Sequence, residues 1–354
     1  MMTRILKSLM FTLLALVMVA GLAPMASAKD KNKDNAAAAP VNMVWPLPPD
    51  KPRVKYLETY SNNFDIEPRK KQSWVDKVVG NGDPNVEEAF ERPSGVGVDS
   101  KGRVFIVATQ KSMVYIIEKE KHHITRFQGD QGITFKTPLG LVVDAQDNFY
   151  VADAALHQVM KFDTNGHIAA TLGNDTGLKN PTYMALDEQR RRLFVVDSHL
   201  HQILVYNLDT LQLEKTVGKR GGKPGEFNYP VGVAVGPDGS FAVTDTGSCS
   251  VEVFSPEYKF VRRFGKQGYR PGDFVRPKGL AYDRDGDIWV VDAAFNNFQI
   301  FSPDGHVRMF VGSKGSQPGQ FEVPSSITID KNNRVYVSDS LNARVQVFQF
   351  LGGN

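Results

Sequence analysis

Hydrophobic and polar positions alternate in short blocks from about residue 53 onward, and the blocks repeat. Each unit opens on Pro-x-Gly-Val/Leu or a close variant, and five of the six reach an Asp four residues after the third position (Asp99, Asp144, Asp187, Asp283 and Asp330). A polar turn follows, then four or five apolar residues that end, in most copies, in a second Asp. The units start at Pro93, Pro138, Pro181, Pro230, Pro277 and Pro324, spaced 45, 43, 49, 47 and 47 residues apart. Periods in the forties with strand-like content predict a propeller or another repeat array.

The unit at Pro277 shows the parts. Residues 279–282 are a short apolar strand. Asp283-Arg284-Asp285-Gly286 makes a tight turn, in which Asp bonds its own backbone and Gly accepts a positive φ. Residues 288–291, Ile-Trp-Val-Val, are continuously apolar, as in a strand covered on both faces. Asp292 ends them. Residues 297–301 alternate and give a third strand, and residues 307–310 give a fourth, outer one. Four strands per unit, without helical periodicity, predict an all-β six-bladed propeller and argue against helical repeats and βα alternation.

The sixth unit lacks an outer strand after residues 345–348. A bare sheet edge there would be open to aggregation. Residues 53–60 share the alternation of the other outer strands and are expected to fill the gap, closing the ring. Residues 67–80 carry Trp74, Val75, Val78 and Val79 on one helical stripe between Pro68 and Gly80. This predicts a short amphipathic helix that covers one end of the closing blade.

Ahead of the units, Arg4 and Lys7 precede an uncharged apolar run from Leu9 to Ala23, and Ala26-Ser27-Ala28 has the small-x-small pattern of a cleavage site. Residues 1–28 read as a secretory signal peptide, because the run is shorter than the roughly 20 residues of a membrane span. A periplasmic or secreted protein with no membrane span after cleavage is expected. Residues 29–52 read as a flexible Pro-rich linker, since Trp45-Pro46-Leu47-Pro48-Pro49 imposes extended geometry. Trp45 is expected to dock this arm on the body. The propeller is expected to occupy 53–354.

Composition narrows the chemistry. Of 354 residues, 41% are hydrophobic and 23% charged, which marks a globular chain. The single cysteine, Cys249, excludes an internal disulfide framework, a four-Cys zinc site and an iron–sulfur cluster. Losing Arg4 and Lys7 with the signal takes 42 basic side chains to 40, against 39 acidic ones. Such a balance gives no bulk electrostatic case for nucleic acid or an anionic membrane. His-Glu-x-x-His, a phosphate-cradling Gly-Lys-Ser/Thr loop and a Gly-x-Ser-x-Gly elbow do not occur.

The units resemble NHL repeats. This is clearest from Pro324 to Phe348, in Pro-Ser-Ser-Ile-Thr-Ile-Asp followed by Val-Tyr-Val-Ser-Asp-Ser-Leu-Asn-Ala-Arg-Val-Gln-Val-Phe. The linkers Gly265-Lys-Gln-Gly-Tyr-Arg-Pro-Gly-Asp-Phe274 and Gly312-Ser-Lys-Gly-Ser-Gln-Pro-Gly-Gln-Phe321 carry the same resemblance. Residues 45–60 and the Trp74 segment resemble the start of exported bacterial six-bladed NHL propellers. The resemblance implies the fold over about 53–354 and leaves function broad. Such propellers include RNA-binding modules, receptor sensors and lyases, and some exported members accompany multihaem cytochromes.

The candidate site is a ring. Asp153, Asp197, Asp245, Asp292 and Asp339 end the second strand of blades 2 to 6, and Ala108 takes that place in blade 1. Repeat symmetry puts them on the face where the Pro-x-Gly segments begin. They are expected chiefly to accept backbone amides, the alternative being an acidic rim for a cation or basic partner. Tyr183 replaces the repeat's glycine in blade 3 and is expected to narrow the mouth. With His199, His201, Phe295 and Asn296 it is expected to form the partner-binding face, the Asp ring beneath. The expected function is a non-enzymatic exported propeller that binds a protein or peptide, as a scaffold for an envelope redox or surface complex. No cofactor, no nucleic acid and no particular oligomeric state is called for. The alternative is a metal-dependent lyase resembling the peptidyl-hydroxyglycine amidating lyases. A divalent metal would then be held by histidines, with His157 and His201 as the candidates.

Overall fold

The computed structural model describes residues 43–70, 85–173 and 175–352. Blade 5 is a four-stranded antiparallel meander of Pro277–Tyr282, Ile288–Asp292, Asn297–Phe301 and Val307–Val311. The same order recurs in every blade. The inner strands, Pro93–Val98, Pro138–Val143, Pro181–Asp187, Pro230–Val235, Pro277–Tyr282 and Pro324–Ile329, touch in cyclic order, and the sixth closes on the first. This is the all-β six-bladed propeller the spacing predicts.

Local chemistry sets each turn. The Asp283 carboxylate accepts the amides of Asp285 and Asp287 at 2.9 Å, and the indole of Trp289 at 2.8 Å. Asp144 does the same with Gln146, Asn148 and the Tyr150 hydroxyl. One carboxylate thereby folds the turn and fixes an aromatic of the next strand.

The core lies between blades. Six apolar clusters occur among the described residues, one at each junction of neighbouring blades. The cluster between blades 5 and 6 packs Trp289, Phe298 and Ile300 against Val335, Val337 and Phe348. Each second strand is therefore covered on both sides, as its unbroken apolar run requires. The linkers into blades 4 to 6 end in Phe227, Phe274 and Phe321, all fully buried. A Cβ on Gly312 would lie 2.6 Å from the Phe321 ring, so glycine is needed where this aromatic closes over the chain.

The ring closes with the N-terminal segment. Val54–Tyr60 pairs antiparallel with Arg344–Phe350, from Val54 opposite Phe350 to Tyr60 opposite Val345. The expected closing strand is thus in place. Val44–Trp45 pairs on its far side as a fifth strand, and the Trp45 ring meets Phe348 edge-on at 5.8 Å. The arm docks on the body. Most of the predicted helix over 67–80, with Trp74, Val75, Val78 and Val79, lies outside the described residues, as does the predicted signal peptide. No helix among the described residues is long and apolar enough to cross a membrane.

Candidate functional site

The two ends of the ring differ. One, the proline face, carries the starts of the inner strands and the loops joining second to third strands. The other carries the Asp-led turns.

The Asp ring lies under the proline face and is fully buried. Asp292 accepts four amides, from Val275 (2.8 Å), Arg276 (3.2 Å), Ala294 (2.9 Å) and Phe295 (3.1 Å). Asp153 holds Lys136, Thr137, Ala155 and Leu156 in the same way, and Asp197 holds Lys179, Asn180, His199 and Leu200. Asp245 accepts Asn228 and Tyr229. Asp339 accepts the Glu322 amide and the side chains of Asn342 and Arg344, while burial pushes its carboxyl above the usual range. Asp153, Asp197, Asp292 and Asp339 tie the loop entering their own blade to the loop leaving the second strand, and Asp245 holds the entering loop. The acidic-rim alternative fails for that reason: these groups are engaged inside the protein and offer no exposed charge.

The histidines do not converge. Ser112, His157, His201, Cys249, Asn296 and Ala343 share one position, the residue before the third strand, with φ between 49° and 58°. Four of the side chains, of Ser112, His157, Cys249 and Asn296, meet the segment leading into the next blade. The Ser112 hydroxyl donates to Lys136 O at 2.8 Å, the His157 Nδ1 faces Lys179 O, and the Val323 amide donates to the Asn296 Oδ1 at 2.9 Å. The His201 Nδ1 is buried without a partner. These residues stand at the third strand, away from the axis, and Asn296 is an inter-blade tie as well as a surface group. Among the described residues no three His, Cys, Asp or Glu side chains are grouped so as to hold a metal ion. A histidine-held metal does not fit this donor set. Burial raises the Cys249 thiol above its usual range, with Asp292 and Asp245 adding to it, so the cysteine is a poor nucleophile.

Tyr183 does more than narrow the mouth. From blade 3 its hydroxyl crosses the axis and donates toward Ser94 O of blade 1 (2.9 Å) and Ser325 O of blade 6 (3.2 Å). Below this bar lies a cavity of about 240 Å³, lined by inner-strand residues including Gly95, Leu141, Gly232, Leu280 and Ile327. The other blades hold Gly95, Gly140, Gly232, Gly279 and Ser326 at the Tyr183 position.

Aromatic groups lie on the proline face over blades 3 to 5, with Leu341 beside them in blade 6. Exposed His199 lies 6.3 Å from the Tyr229 ring, and half-buried Phe295 lies edge-on to Tyr269 at 6.1 Å. Tyr229 is 40% exposed, Leu341 49% and Tyr269 88%, high values for such side chains. Tyr229, Tyr269, Arg276 and Lys278 were not singled out from the sequence. Their signal was the linker and the x of Pro-x-Gly, columns whose direction the pattern alone does not reveal.

The architecture is that of a six-bladed propeller built from four-stranded antiparallel blades. The chain carries NHL repeats: the NHL repeat model matches residues 227–254, 274–301 and 321–348, which are the stretches from the buried linker Phe through the third strand of blades 4 to 6. Over 237 residues the chain is 26% identical to the peptidyl-glycine alpha-amidating monooxygenase of Mus musculus, covering 53% of this chain and 24% of that protein. The chain thus spans about a quarter of that relative's length. Two solved structures share the fold. Virginiamycin B lyase from Staphylococcus aureus is 13% identical, with a TM-score of 0.56 over 74% of this chain and 96% of that one. A protein of unknown function from Bacteroides thetaiotaomicron is 17% identical, with a TM-score of 0.60 over 82% and 76%.

Proposed function

We propose that this chain is an exported, non-enzymatic propeller that binds a protein or peptide partner on its proline face. The observation that carries the reading is the exposed group of Tyr229, Tyr269 and Leu341, with half-buried Phe295 against Tyr269, beside a channel mouth closed by Tyr183. Amphipathic aromatics on a rigid rim suit protein contact, and loops that differ between otherwise equal blades are where a repeat protein adapts to its ligand. Export rests on the pattern of residues 1–28. A scaffold role in an envelope complex is the expected setting.

Capture of a partner from the envelope fraction of the source cells tests the reading. Tyr269→Ala with Phe295→Ala should weaken the complex by about 1 kcal/mol or more. Changes at the opposite end, such as Asp285→Ala, should leave it intact. Loss of binding only on changing that opposite end would sink the assignment. The likeness to the amidating monooxygenase is what favours the metal-dependent lyase reading. Stoichiometric zinc in protein purified without chelator, lost in His157→Ala with His201→Ala, would restore it.

A further inference from the structure

The x of Pro-x-Gly is the second residue of each inner strand, at the end of the blade that faces the proline side. It holds Ser94, Leu139, Thr182, Val231, Lys278 and Ser325. The polar members lean toward the next blade and bond its backbone there: Ser94 to Leu139 O (2.8 Å), Thr182 to Val231 O (2.8 Å) and Ser325 to Pro93 O (3.0 Å). Lys278 is the one charged member. Its carbonyl is pinned by the Thr244 hydroxyl, and its place in the ring is beside blade 6, where Tyr183 donates to Ser325 O. Two residues earlier stands Arg276, exposed on the same mouth.

Neither cation has a carboxylate. Among the described residues no ion pair involves the Lys278 ammonium or the Arg276 guanidinium, although many other lysines and arginines are paired. The rim carboxylate of the same blade, Asp292, is saturated by four amides, one of them that of Arg276 itself. Burial, and after it the like charge of Arg276, hold the Lys278 pKa below the usual lysine value. Lys278 is a half-buried side chain whose charge has no counter-charge beside it, and an anion arriving from outside would supply one.

We propose that the channel mouth is a carboxylate-binding site, formed by Lys278 and Arg276 over the Tyr183 bar, that receives an acidic side chain from a peptide segment of the partner. The proposal rests on the proline-face reading above and names the partner's chemistry. Tyr183 bars the channel at this end, so the mouth takes one side chain and not a segment threaded through the ring. Tyr269, from the linker into blade 5, and Phe295, from the loop joining its second and third strands, supply apolar contact for the residues next to the carboxylate. Two adjacent cations in an otherwise balanced chain suit an acidic peptide better than a polyanion, which needs a long basic track.

The test uses the full chain and three probes: a glutamate-rich peptide containing one tyrosine, its glutamine counterpart, and inorganic phosphate. The glutamate peptide is expected to bind and the glutamine peptide to bind at least about tenfold more weakly, the size of a lost charge-assisted contact. Lys278→Met should weaken the glutamate peptide by a similar factor while raising Tm, because it removes an unpaired charge. Lys278→Arg should retain binding. A merely structural lysine would instead lower Tm when changed and leave peptide binding alone. Phosphate binding as well as the peptide, with equal sensitivity to Lys278→Met, would reduce the site to one for small anions and overturn the peptide assignment. Peptide binding indifferent to Lys278, or no peptide binding while the captured partner still depends on Tyr269 and Phe295, overturns this site and leaves the proposed function standing. Loss of both removes the proline-face reading itself.

Discussion

Tyr183 is the residue through which the ring can be interrogated at its axis. Its hydroxyl, carried by blade 3, is shared between carbonyls of blades 1 and 6, at 2.9 and 3.2 Å. Tyr183→Phe removes that donor and keeps the ring. One net hydrogen bond contributes about 1 kcal/mol, and a single proton shared by two acceptors counts once. The Ser94 carbonyl keeps a second donor in the Ser325 hydroxyl at 3.3 Å, which holds the loss near that figure. Tyr183→Gly restores the residue type found at this position in four other blades, yet it strips the bar from the channel. Removing a large aromatic costs about 3–5 kcal/mol when the hole stays dry, and less where water can enter, so about 2–3 kcal/mol is expected here. Urea unfolding at neutral pH, read by tryptophan fluorescence, measures both. If Tyr183→Phe unfolds at the wild-type midpoint with the same slope, and Tyr183→Gly is no less stable than Tyr183→Phe, the side chain does not brace the ring and the closed mouth is lost as an argument.

The same phenol belongs to a wider set. Burial first, and neighbouring carboxylates for most of them, hold Tyr60, Tyr115, Tyr150, Tyr282 and Tyr336 above the usual tyrosine pKa, the last two at about 12. Folded-state values raised above unfolded ones give stability that is whole below about pH 10 and is lost as pH rises through the folded pKa values. Unfolding midpoints should therefore fall steeply above about pH 10, and a flat profile to pH 12 would contradict the buried hydroxyls. Asp292→Ala strands four amides and should cost about 3 kcal/mol, with Asp292→Asn intermediate, by thermal denaturation. A neutral Asp292→Ala would return the Asp ring to a surface role. Tyr56→Ala in the closing strand should cost about 3–4 kcal/mol, and deletion of residues 43–60 should give aggregated protein. A soluble deletion product with an unchanged melting curve would refute closure by that strand.

Much of this fold was legible because each column of the repeat carries its own physics. A Pro start, an Asp-led turn, an unbroken apolar run and a Gly-to-Phe linker recur for reasons that act within one blade or between two, so pattern alone identifies them. The closing strand was legible for the same reason: 53–60 has the alternation that the sixth blade lacks. What the pattern could not supply was distance from the axis. His157 and His201 stood out as departures, yet their column precedes the third strand, where neighbouring blades diverge, and only the His157 imidazole meets the linker into the adjoining blade. The Asp ring was legible as an acceptor of the amides that follow it, but the second set of amides was not, because the loop entering each blade comes from another part of the unit.

Radius also explains why Lys278 escaped notice while Tyr183 did not. Both lie in the Pro-x-Gly segment, one residue apart in the motif. Tyr183 broke a glycine that the eye expects, whereas x admits any residue by definition. Yet x is the second residue of each inner strand, at the proline-face end, where a change of charge alters what the mouth presents. In a propeller the columns nearest the axis are the ones whose departures can meet a ligand together, and columns on the third and outer strands act blade by blade. On that argument the charge of this protein's partner should be set by Lys278 and Arg276, and its apolar contacts by Tyr269 and Phe295 further out. Exchanging Lys278 for Glu should therefore switch preference from the glutamate-rich peptide to a lysine-rich one, with the aromatics unchanged. Retained preference for glutamate in that variant would show that the axis does not select the ligand.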